Sequence, residues 1–149
     1  MTTSPTFVQC EKALLIYLAD LLSLQVNKNI TRREIVKGSK APKTACVFSL
    51  GTSVGYVGDQ ARGLDTYNAS LRVRSDNADE ADNLLDKLKS ELPMHGFSAS
   101  NNAEGYSIQV KSIDQNGGTD RAVPLEYLGD TYYFGSVYLK ITIVDKIIN

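Results

Sequence analysis

Ala69-Ser-Leu-Arg-Val-Arg-Ser-Asp-Asn-Ala-Asp-Glu-Ala-Asp-Asn-Leu-Leu-Asp-Lys-Leu-Lys-Ser-Glu-Leu92 decides the architecture of this chain, because two periodicities meet in it. Leu71 and Val73 alternate with Arg72 and Arg74, as in a half-buried strand with one apolar and one cationic face. The alternation ends at Ser75-Asp76-Asn77. Asn77 is a good N-cap, and Glu80, three residues on, approximates a capping box. Asp79, Glu80 and Asp82 complement the positive end of the helix dipole. Ala78, Ala81, Leu85, Leu88 and Leu92 then recur at helical spacing, with Leu84 widening the stripe, until Pro93 and Gly96 stop the helix. The run is a strand feeding a capped helix, and it holds no group suited to catalysis.

Upstream, Ser4-Pro5 signals a helix start, and Phe7, Leu14, Leu18 and Leu21, flanked by Leu15 and Leu22, predict a helix from about Pro5 to Leu24. Val26 to Lys43 is polar and basic, with Lys28, Arg32, Arg33, Lys37, Lys40 and Lys43 against one acid, Glu34. Within it Thr31 to Val36 fits a short edge strand, and Cys46-Val-Phe-Ser-Leu50 fits a buried strand. The glycine-rich stretch 51–68 reads as a protruding β-hairpin arm or loop. Downstream, Gly105 to Ile113 alternates with Tyr106, Ile108 and Val110 on one face. Residues 114–124, containing Asn116-Gly-Gly118, predict a mobile loop. Leu125 to Leu128 is β-like, Gly129-Asp130 makes a turn, and His95 falls in a turn after the second helix. Tyr132 to Val144 is the longest strand, with Val137, Leu139, Ile141 and Ile143 alternating with Tyr138, Lys140 and Thr142. The order α, β, β, α, β, β, β over 1–149 predicts a single α+β domain, a mainly antiparallel mixed sheet with two helices packed on one face.

Composition limits the function classes. With 16 Lys and Arg against 17 Asp and Glu, the net charge is −1, without the basic excess usual in dedicated nucleic-acid binders. Cys10 and Cys46 are far apart with no neighbouring histidines, which predicts two reduced, mostly buried thiols rather than a zinc site. The N-terminal apolar stretch contains Glu11, Lys12 and Asp20 and fits neither a signal peptide nor a membrane span, which points to a reducing cytosolic compartment.

No catalytic, cofactor or metal residues are assigned. Gly51-Thr-Ser-Val-Gly-Tyr-Val-Gly58 invites a phosphate-loop reading, but it ends in Asp59-Gln60 where Lys-Ser/Thr is needed. His95 is the lone histidine and lacks triad partners. The acids of Asp76 to Asp82 lack the ligand order of a calcium loop and are explained by capping. The candidate site is instead a subunit or partner interface. Val54, Tyr56 and Val57 lie in the glycine-rich arm and Ile147-Ile148 end the chain, and apolar side chains on protruding segments mark interfaces or fold back on the domain's own core. Arg72 and Arg74 point outward toward solvent, a helix layer or another subunit.

At Leu71-Arg-Val-Arg-Ser75, Ala78 to Leu92, and Leu128-Gly-Asp-Thr-Tyr132 leading into Val137 to Ile143, the chain resembles the tail-terminator or minor capsid (head-tail joining) family of tailed bacteriophages. The resemblance runs from Ala45 onward through structural patterns, without a catalytic signature. It implies a virion structural protein, made in the host cytoplasm and incorporated at the head–tail interface. The resemblance further implies that copies of the chain form a ring, commonly hexameric, that caps the tail tube and joins it to a head-side connector or completion protein. It implies no enzymatic activity, cofactor, membrane association or specific nucleic-acid binding, the genome passing through the ring lumen. The chain departs from the family in its longer Lys28–Lys43 stretch, its longer loop Asp114–Val123, and Gly51-Thr-Ser-Val-Gly55 in place of a proline-bearing turn. Two other readings stay open: a small α+β enzyme or ligand-binding domain with a site in Gly51–Gly63, and a nucleic-acid-binding accessory protein.

Overall fold

Thr6 opens the first helix, α1 (Phe7–Leu22), with a complete capping box: its hydroxyl accepts the Gln9 N–H at 3.1 Å, and its own N–H donates to Gln9 Oε1 at 2.9 Å. The second helix, α2 (Ala78–Glu91), is capped by Asn77 Oδ1, which accepts from the N–H groups of Asp79 and Glu80 at 2.9 and 3.2 Å. The reciprocal half of that capping box is replaced: Asn77 N–H donates to Ser75 Oγ, while Glu80 turns to accept from Thr44 Oγ1 at 2.6 Å. The computed structural model describes residues 2–3, 5–33, 43–53, 64–119, 121–127, 129–144 and 147–148.

The strands are β1 (Thr2–Thr3), β2 (Ile30–Arg32), β3 (Thr44–Ser53), β4 (Leu64–Ser75), β5 (Met94–Asn101), β6 (Tyr106–Gly118), β7 (Val123–Tyr127), β8 (Asp130–Val144) and β9 (Ile147–Ile148). Seven form one sheet in the order β2-β3-β4-β8-β6-β5, with β7 also on β8. Among the described residues, β2 and β3 pair parallel in it and its other neighbours pair antiparallel. This is the α+β fold with a mainly antiparallel mixed sheet. The central strand β8 divides one edge between two partners: Val137–Ile143 pair with β6, and Asp130–Phe134 pair with β7.

Both helices cover one face. Leu14, Leu18 and Leu22 of α1 and Ala81, Leu85 and Leu88 of α2 are buried in one cluster with Phe48, Leu71, Val73, Val137, Leu139, Ile141 and Ile143. On β4 and β8 these are the alternate residues that the period-two pattern assigns to the core. Gly135 leaves room for Leu85 of α2 against the sheet: a Cβ there would stand 2.5 Å from Leu85 Cδ1. Cys10 and Cys46 are both buried and unbridged, and burial pushes the Cys46 thiol up to about 12.

Two expectations need correction. His95 does not lie in a turn: Met94 opens β5 directly after the cis Leu92–Pro93 bond, and His95 is paired opposite Ser112. Residues 114–124 are not a mobile loop as a whole, because β6 continues to Gly118. It does so through a register shift between Gln115 and Gly118, with Gly117 and Gly118 at φ values of 96° and 136°. A Cβ on Gly118 would collide with the Ser136 carbonyl oxygen, so this crossing needs glycine on two counts. Beyond it, Thr119 N–H donates to Ser136 O at 2.8 Å, Lys89 Nζ to Thr119 O at 2.8 Å, and Ala122 N–H to Asp82 Oδ1 at 2.7 Å. These bonds lash the connector to β8 and α2 and deliver the chain into β7. The start of the basic stretch is tied to the first helix. Arg32 Nη1 and Arg33 Nε bind the fully buried Glu11 Oε1 at 3.1 and 3.0 Å, and Leu50 N–H donates to Glu11 Oε2 at 2.8 Å. One carboxylate thereby ties α1 to β2 and β3.

Candidate functional site

The residues predicted for an interface separate in the structure. Val54, Tyr56 and Val57 lie outside the described residues; the strands flanking them are paired, with Ser53 opposite Tyr67. Ile147 and Ile148 form β9, which pairs antiparallel with β1 in a small separate sheet. Arg72 and Arg74 are on the face of the main sheet that neither described helix covers, the helix-free face, beside groups that the sequence reading did not single out.

Directly opposed residues in neighbouring antiparallel strands share a face, so the registers define its rows. One row runs Ala45, Arg74, Phe134, Val123 across β3, β4, β8 and β7. The next sets Tyr132 opposite Leu125. In the other direction come the rows Val47, Arg72, Ser136, then Ser49, Ser70, Tyr138, then Asn68, Lys140, Asp114. The Arg74 guanidinium lies 5.3 Å from the Tyr132 ring centroid, a cation–π contact, and Tyr132 meets Phe134 edge-on with centroids 6.5 Å apart. Ala45 and Val47 are buried on this side, whereas Val123, Leu125 and Tyr138 are 49, 55 and 52% exposed. Arg72 and Lys140 are exposed.

Exposed aliphatic groups on β7, aromatic rings on β8 and guanidinium groups on β4 form a surface of the composition that protein interfaces favour. Pro124 is the second residue of β7 and lacks an N–H, which blunts that strand as a template for an added strand. The chemistry available therefore belongs to side chains on the face rather than to the strand edge. The signal was present in the sequence: Tyr132, Phe134, Tyr138 and Lys140 share the parity opposite Val137 and Leu139. Val123 and Leu125 join them only through the β7–β8 register, which no local pattern fixes.

Among the described residues, no group of three or more His, Cys, Asp or Glu is arranged to hold a metal ion, and no helix is long and apolar enough to cross a membrane. No protein-family model matches the chain, and a search of the curated proteins finds no match.

Proposed function

We propose that this chain is a virion assembly subunit of the tail-terminator kind, whose copies close into a ring that caps a tail tube and joins it to a head-side connector. The resemblance along Leu71 to Leu92 and Leu128 to Ile143 motivates the reading. The observation that carries it is the helix-free face, where Val123 and Leu125 stand half exposed in line with Phe134, Tyr132 and Arg74. An apolar and aromatic patch on an otherwise well-packed domain gains by being covered. A ring of identical subunits covers it without an open end. In this mechanism the domain acts by shape: a rigid sheet backed by two helices presents one face to a neighbour, and the completed ring offers tube and head two different surfaces.

The test is binding to purified tail tubes and portal-containing heads, scored by electron microscopy. Saturable decoration of tube ends at one ring per tube supports the proposal. Absence of binding to either structure, by a protein that remains monomeric, would overturn it.

A further inference from the structure

Arg72, Arg74 and Lys140 place three cations on the helix-free face, against two acids, Asp114 in the Lys140 row and Asp130 opposite Tyr127 at its far end. That charge decides how two copies can meet on it. With three cations to two acids the face is net positive, so an acidic surface is a better counterpart than a second copy of the same face. An acidic counterpart is present on the opposite side of the same molecule. The solvent side of α2 exposes Asp79, Glu80, Asp86 and Glu91 against a single exposed cation, Lys87. Asp79 and Asp86 are two turns apart, on one stripe of the helix. Neither they nor Arg72 and Lys140 have an ion-pair partner among the described residues.

We infer that the occupant of the helix-free face is a second copy of this chain, seated through the acidic outer stripe of its α2, so that subunits associate head to tail. This inference rests on the ring reading and specifies its interface. Each copy uses two different surfaces, β4–β8–β7 toward one neighbour and α2 toward the other, the heterologous geometry from which rings are built. Tyr138 and Leu125 supply area to be covered, and the charges favour the acidic stripe over the face-to-face pair and fix its orientation.

Reciprocal charge reversal tests it, read by sedimentation of the full chain. Arg72→Glu/Lys140→Glu and Asp79→Lys/Asp86→Lys should each weaken self-association by about tenfold or more, as like charges then face each other. An equimolar mixture of the two variants should recover it, because each reversed face meets its reversed complement in alternation. Asp86→Lys alone, in mid-helix and exposed, serves if the double substitution loosens α2. Wild-type association should also weaken with rising salt. Association that persists unchanged in both variants overturns the head-to-tail assignment and leaves the ring reading standing. A wild-type chain monomeric at every concentration overturns the ring reading and the assignment with it. If instead Arg72→Glu/Lys140→Glu abolishes binding to single-stranded DNA while self-association is unchanged, the face belongs to nucleic acid and the inference is wrong.

Discussion

Glu11 is fully buried between two guanidinium groups and a backbone N–H, and its environment sets a clear expectation. Glu11→Ala leaves the buried Leu50 N–H without its acceptor and unties α1 from β2. It should therefore lower stability by about 1–3 kcal/mol in chemical denaturation. Arg33→Ala should cost less, because its side chain is 53% exposed and water screens what remains of the pair. Glu11 was visible in the sequence only as a polar residue within an amphipathic helix. Its partners come from residues far along the chain, and no local rule joins them. Cys46 gives a second expectation. Its thiol is pushed up to about 12 by burial, from an ordinary 9.0. The folded state therefore holds its proton more tightly than the unfolded state, and this contribution to stability is intact below the unfolded value. It is lost as the pH rises from about 9 toward 12. Alkaline denaturation should steepen over that window, and Cys46→Val should flatten it. The native thiol should resist alkylation at neutral pH, reacting only on unfolding.

At the scale of elements, Leu88 is fully buried on α2, so Leu88→Ala should lower stability by about 2–5 kcal/mol, measured in urea. Gly135→Ala should destabilise as well, since the added methyl meets Leu85. Val123→Ser/Leu125→Ser should behave oppositely. Both side chains are half exposed, so stability should change by less than about 1 kcal/mol while self-association falls. The strand and helix of Leu71 to Leu92 were legible because each obeys a local period. The strand Met94–Asn101 was not, because Gly96, at φ 60°, interrupts its alternation and His95, Ser98 and Ser100 carry no apolar signal. Residues 114–118 misled for a related reason. Asn116-Gly-Gly118 has the composition of a loop, yet here the glycines carry β6 through a bulge across β8.

At the scale of the whole molecule, the helices and the sheet divide the labour. The helix-covered face of the sheet supplies the core, and the helix-free face holds the arginines, tyrosines and exposed aliphatic groups that a neighbour would cover. The sequence indicated that Arg72 and Arg74 point away from the core, but not what surrounds them, because their neighbours arrive from β3, β7 and β8 by long-range pairing. The proposed ring depends on that face being an interface between copies. The most direct measurement is the mass of the full chain in solution, by native mass spectrometry and sedimentation across a broad concentration range. The account predicts a closed assembly of fixed stoichiometry that forms as concentration rises and dissociates in the Val123→Ser/Leu125→Ser variant. A monomer at every concentration would contradict it.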